Sequence, residues 1–248
     1  MRYEVIGIGG LPEVAPGDDL ARLLWEAAMR QGTPIDARDI LVICQKIVSK
    51  AEGRLVRLDD VQVSPRAAEI ARVVLRDPRL VEVILGESRR VVRQAPNVLI
   101  VETRHGFVCA NAGVDQSNVA PDTACLLPVD PDASARALRD GLRAIGGQAP
   151  PVIVTDTFGR PWREGLVNVA IGVAGLAPLR SYLGEQDPGG HVLQASVLAV
   201  ADELAAAAEP VMGKLDRIPA ALVRGLAWEP AETGIRPLLR DPERDLFR

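Results

Sequence analysis

A chain of 248 residues, 48% of them hydrophobic, is long enough for one large domain or two smaller ones with cores of their own. Its 29 Lys and Arg against 33 Asp and Glu leave a formal net charge of -4, and aromatics are only 3%, so the basic field and ring platforms of a nucleic-acid binder are missing. Cys44, Cys109 and Cys125 form no CxxC pair, which fits a reducing compartment, and the amino terminus carries no export signature, so the sequence predicts a cytoplasmic protein.

Tyr3 to Ile8 alternates like a first strand, and Gly9 to Pro12 turns the chain. Asp18 is placed to cap a helix whose stripe is Leu20, Leu23, Leu24, Ala27 and Ala28, and Gly32 closes it. Ile40 to Cys44 is a short aliphatic run of the buried-strand type. Ser64-Pro65 opens a helix with Ala68, Ile70, Ala71, Val74 and Leu75 on one face, and Leu80 to Leu85 suggests another. Val98 to Thr103 and Phe107 to Cys109 flank Arg-His-Gly as a hairpin would. Asp130-Pro131 caps a helix carrying Ala137, Leu138, Leu142 and Ile145, stopped at Gly146-Gly147. Val152 to Thr155 is another short strand, and Val192 to Glu209 is the predicted final helix, broken in apolar character by Asp202 and Glu203, which excludes a membrane span. Strands and helices interleave with a hairpin, which predicts an α+β protein with mixed and antiparallel sheets.

The usual phosphate loops are absent: there is no GxxxxGK[ST], and Gly7-Ile-Gly9-Gly10 lacks the third glycine of a dinucleotide fingerprint. Three other segments carry chemistry. Gln45 to Arg54 sets three cations, a hydroxyl and an amide just beyond a buried strand, which suits either a phosphate or a solvated surface turn. Cys109 to Asn118 is a run of small residues ending in Asp115, Gln116, Ser117 and Asn118; it offers a hard oxygen ligand or reads as an Asx-type turn. Val154 to Gly165 delivers Asp156 and Thr157 at a strand end, with Arg160 and Arg163 close behind as cations for an anionic group. If Asp115 and Asp156 converge, they form a divalent-cation site of the kind phosphoryl transfer uses. His105 and His191 fall outside these segments and read as structural.

In order along the chain, Gly10-Leu11-Pro12, Val48-Ser49-Lys50-Ala51-Glu52-Gly53, Asn111-Ala-Gly-Val-Asp115-Gln-Ser-Asn118, Asp156-Thr157-Phe158-Gly159-Arg160 and Val211-Met212-Gly213 resemble the coenzyme F420-0:γ-glutamyl ligases. The resemblance runs from about residue 3 to 228 and implies a single ligase unit over residues 1–248, built as two subdomains in an intertwined homodimer. Some bacterial relatives carry a flavin-binding reductase-like domain after the ligase unit; this chain departs from them, and no such domain is expected in it. The resemblance implies that Leu11, Pro12, Glu13, Val14, Gln45, Lys50, Asn118, Met212, Gly213 and Lys214 contact GTP. By the same carry-over, Asp115, Asp156 and Thr157 hold Mg²⁺ or Mn²⁺, with K⁺ as a further cation, and Asp115, Asp156 and Arg160 serve catalysis.

The implied reaction activates the terminal carboxylate of F420-0 with GTP as an acyl phosphate, which the amine of L-glutamate attacks; later rounds add γ-linked glutamates. Triphosphate and acceptor are both anionic, so cations are a physical necessity. The other readings of the same aspartates are a metal-dependent phosphohydrolase and a GTP-binding module without chemistry. Lys214 departs from the family pattern, which often places a Gln there to help hold a second metal. A protonated ammonium cannot be a metal ligand, so Lys214 either reaches the phosphates or is a solvated residue after a helix cap.

Overall fold

The computed structural model describes residues 2–245. Its centre is a five-stranded sheet made from β1 (Glu4–Ile8), β2 (Ile40–Cys44), β8 (Val152–Arg160), β9 (Arg163–Ala174) and β12 (Ala220–Arg224), in the order β1-β12-β2-β8-β9. Leu41, Val42 and Ile43 of β2 are wholly buried because helices cover this sheet, and each such side chain contributes about 1.5–3 kcal/mol by leaving water. β2 is parallel to β8, whereas β12 runs antiparallel to both β1 and β2.

Three helices pack on this sheet or on each other beside it: α1 (Leu20–Gln31), α5 (Pro131–Gly146) and α6 (Val200–Met212). Asp19 caps α1 by accepting from the Arg22 N–H, while Asp18 accepts from the Ala15 N–H, so the cap sits one residue beyond the one the sequence suggested. Asp130 caps α5 as expected, but Ala135, Leu138 and Leu142 are its buried stripe; Ala137 and Ile145 face solvent. α6 begins eight residues later than predicted. Val192 to Ala199 instead includes the short strand β11 (Val197–Leu198), paired with β10 (Arg180–Ser181), and the helix runs past Pro210 to Met212.

A second hydrophobic cluster lies apart from the first, around α3 (Pro65–Val74) and α4 (Pro78–Gly86). These helices pack on a three-stranded antiparallel sheet of β4 (Ser88–Ala95), β5 (Val98–Thr103) and β6 (Val108–Ala110). Ser64 caps α3; Ala67 rather than Ala68 is buried, and Leu75 forms a left-handed C-cap with its side chain exposed. β3 (Leu55–Arg57) pairs with β7 (Thr123–Cys125), and α2 (Gln45–Ala51) joins β2 to this region. The α+β class with mixed and antiparallel sheets is therefore as expected.

The chain after β12 is pinned rather than loose. Asp132 accepts from the backbone N–H of Ile235 at 3.0 Å and of Val173 at 2.8 Å, and Ile235 is buried. No helix among the described residues is long and apolar enough to cross a membrane.

Candidate functional site

Strand direction decides where the polar residues meet. Cys44 is the register partner of Thr155 in the parallel pair, so the chains leaving β2 and β8 emerge side by side, as Gln45 and Asp156. β1 points the same way and ends at Ile8, the partner of Ala220, so Leu11 to Val14 leave the sheet at this edge and residues 213–219 arrive at it. Crevices beyond the carboxyl ends of strands are where α/β sheets bind ligands. Here that edge forms a cleft of about 1490 Å³.

Asp115 is supplied from the other side. The segment after β6 folds into a 3₁₀ turn, Asn111–Gly113, in which Asn111, Ala112 and Gly113 all have positive φ, at 55°, 56° and 70°. Three consecutive left-handed residues are costly, and a Cβ on Gly113 would meet the Leu127 side chain at 2.7 Å. The turn is followed by a backbone bridge between Asp115 and Cys125, which holds Asp115 against the strand β7.

The two aspartates differ in their surroundings. Lys46 donates to the Asp115 carboxylate, and Ser117 donates to it from its hydroxyl at 2.6 Å and its N–H at 2.9 Å. Burial works to raise the pKa of Asp115, but these hydrogen bonds outweigh it and hold the carboxyl below its ordinary value. Asp156 has no ion-pair partner among the described residues. Burial pushes its carboxyl up to about 6, and the negative charge of Asp115 adds to the effect, against hydrogen bonds from the Thr157 backbone and the Gln45 side chain. Two carboxylates that sense each other, one of them lacking a counter-ion, fit a hard divalent cation.

Thr157 does not fit as a ligand in the same way. Its hydroxyl donates to Asn168 Oδ1 at 2.7 Å and accepts from Lys214 Nζ at 2.6 Å, so the oxygen already has a cation against it. Lys50 is almost fully buried and pairs with the exposed Glu13 at the mouth of the cleft. Cys109 and Cys44 also line the cleft, but burial, with Asp156 nearby, pushes the Cys109 thiol up to about 12 and raises that of Cys44, so both are protonated and poor nucleophiles.

Residues 9–225 match the family model described as F420-0:Gamma-glutamyl ligase. The chain belongs to the F420-0:gamma-glutamyl ligase family. It is 47% identical to the coenzyme F420:L-glutamate ligase of Methanothermobacter thermautotrophicus, with all of both chains covered. It is 45% identical to that of Methanopyrus kandleri, over 97% of this chain and 100% of the relative. With that of Archaeoglobus fulgidus the identity is 41%, over 100% of this chain and 97% of the relative.

The residues expected from the resemblance to bind ligands are brought together in one cleft: Leu11, Pro12, Glu13, Val14, Gln45, Lys50, Asn118, Met212, Gly213 and Lys214 all line it, with Asp115, Asp156 and Thr157. Arg160 does not. It lies at the tip of the β8–β9 hairpin, outside the cleft lining, and donates to the Glu164 carbonyl at 2.6 Å. Lys214 is more than half exposed but not free, being paired with Glu209. Sequence reasoning singled out neither Asn168 nor Glu209, both of which line the cleft, and took Lys46 only as one of three cations suited to a phosphate, not as the partner of Asp115. Asn168 had a signal: it is the one amide inside the apolar run Leu166 to Ala174.

Proposed function

We propose that this protein uses GTP to attach L-glutamate to F420-0, first by an amide bond and then through γ-linkages. Family membership and the names of its relatives support the ligase reading. The observation that carries the mechanism is the convergence of Asp115 and Asp156 in a cleft edged by Lys46, Lys50 and Lys214. A phosphate-transfer site needs hard-cation ligands and fixed positive charge in one place, and this cleft supplies both.

In this reading Asp115 and Asp156 hold Mg²⁺ or Mn²⁺, which when bound would neutralise phosphate charge and polarise the γ-phosphorus. Lys46, paired with Asp115 in the structure, would be released by a bound cation to turn its ammonium toward the nucleotide. Lys50, one turn along α2 from Lys46 and paired with Glu13, meets the phosphates beside it. An F420-0 carboxylate oxygen attacks the γ-phosphorus and GDP leaves; the neutral glutamate amine then attacks the acyl carbon, the acyl C–O bond to phosphate breaks, and the departing phosphate takes up the amine proton. The polar wall of the cleft positions both anions, which would otherwise repel.

The homodimer belongs to the same proposal. Leu166 and Leu215 line the cleft yet are 69% and 91% exposed, and Trp162 at the hairpin tip is 75% exposed, an apolar rim that a second copy would cover.

Nucleotide consumption tests the reading. Sustained phosphate release from GTP should require both F420-0 and L-glutamate; phosphate release in the absence of glutamate, at the full rate, would instead mark a phosphohydrolase.

A further inference from the structure

At the Thr157 end of the cleft, four side chains close a ring. Lys214 Nζ donates to Thr157 Oγ1 at 2.6 Å and sits 2.8 Å from Glu209 Oε1. Thr157 donates its own proton to Asn168 Oδ1 at 2.7 Å, and Asn168 Nδ2 donates to Glu209 Oε2 at 2.6 Å. Both carboxylate oxygens of Glu209 are used, and each donor in the circuit has its own acceptor. The arrangement also fixes the Asn168 amide, because the opposite orientation would set its carbonyl against a carboxylate.

A hydroxyl and a carboxylate facing one point are ligands for a hard cation. At this point the cation is an ammonium attached to the chain. We propose that Lys214 is a positioning residue whose ammonium is the resident cation at Thr157, anchored by Glu209, so that no divalent ion binds at this end of the cleft. An ammonium has three N–H donors; Thr157 and Glu209 take two, and the third is left for an anionic oxygen of a substrate.

Lys46 presents a useful contrast. It too sits against a proposed metal ligand, but Asp115 is its one carboxylate partner among the described residues, so an incoming divalent ion replaces it with a larger charge. Lys214 has a counter-ion of its own in Glu209, which is not among the expected metal ligands and keeps the ammonium in place when a metal binds beside Asp156.

The inference rests on the ligase reading for what the cleft does, but not for which cation occupies Thr157, and metal binding without substrates separates the two. Mn²⁺ bound per full-length chain would be counted by equilibrium dialysis with electron paramagnetic resonance, for the parent, Lys214→Gln and Lys214→Arg. The Gln side chain is neutral and offers an oxygen; the Arg side chain keeps the charge. Lys214 is 57% exposed, so neither change breaches the core, and thermal unfolding verifies the fold.

Lys214→Gln should bind one Mn²⁺ more than the parent and Lys214→Arg none more. Adding Thr157→Val to Lys214→Gln should remove the extra ion. An unchanged count in Lys214→Gln, or an equal gain in Lys214→Arg, would overturn the proposal. The parent's own count reports separately on Asp115 and Asp156: no ion in the parent would sink the metal reading of those two, while the increment in Lys214→Gln still decides the role of Lys214.

Discussion

Cys44 and Thr155 face each other across the parallel pair β2–β8, and from that register follows the adjacency of Gln45 and Asp156. Gln45 is buried and uses its carbonyl oxygen to accept from Ser49 at 2.8 Å, which leaves its amide hydrogens to serve Asp156. A carboxylate ends up at the edge of the sheet with hydrogen bonds but no counter-ion.

That carboxylate should make metal-free stability depend on pH. Its folded pKa of about 6 lies above the ordinary 3.8, so the folded state holds the proton more tightly and stability falls as pH rises between those values. The penalty is fully present above about pH 6 and amounts to roughly 3 kcal/mol. Asp156→Asn should therefore raise the unfolding midpoint of chelated protein at pH 7.5 and flatten its pH dependence between about pH 4 and 6. It should also abolish ligation. An unchanged pH profile would show that Asp156 is not held uncompensated.

Much of the sheet was legible in the sequence. Ile40–Cys44 is bounded as expected because a continuous aliphatic run flanked by polar residues has few ways to be buried. β4 escaped notice because Ser88–Ala95 is largely exposed and dominated by Arg89, Arg90 and Arg93, with no apolar alternation. α2 was hidden by its polar face, since Gln45, Lys46, Ser49 and Lys50 look like a loop yet are helical and mostly buried. The onset of α6 was blurred by the apolar stretch before it, and its end by Pro210, which lies within its last turn. Of the site, the aspartates could be found from their motifs, whereas the ring of Thr157, Asn168, Glu209 and Lys214 depends on β8, β9 and the end of α6 meeting and, beyond the lone amide at Asn168, has no local signature.

Gly113 and Gly10 share a φ of +70°, but only Gly113 is confined: a Cβ there would stand 2.7 Å from the Leu127 side chain, whereas one on Gly10 would meet nothing within 4 Å. Gly10→Ala should cost about 1 kcal/mol through backbone strain alone, and Gly113→Ala about 2–4 kcal/mol through strain plus overpacking. Urea unfolding of the two variants would measure the difference; equal losses would mean that the turn carrying Asp115 yields easily.

Lys50 and Arg160 should separate cleanly in steady-state kinetics. Lys50→Met removes a buried cation from the cleft while its partner Glu13 remains solvated, so the KM for GTP should rise about 10–100-fold. Arg160→Ala, outside the cleft lining, should keep kcat/KM within about 3-fold, worth less than ~1 kcal/mol. A large loss with Arg160→Ala would restore its catalytic role.

The apolar rim predicts assembly. Sedimentation velocity should show a dimer for the parent, and Leu166→Arg combined with Leu215→Arg should shift it toward monomer, because two exposed leucines become charges that an interface must desolvate. A parent that sediments as a monomer at micromolar concentration would remove the homodimer from the account.

Ligation itself is read by mass spectrometry of F420-0 incubated with the protein, GTP, L-glutamate and Mn²⁺, with GTP and glutamate omitted in turn. Products heavier by one or more glutamyl units should form in the complete mixture alone; unmodified F420-0 in the complete mixture, with nucleotide bound to the protein, would rule ligation out.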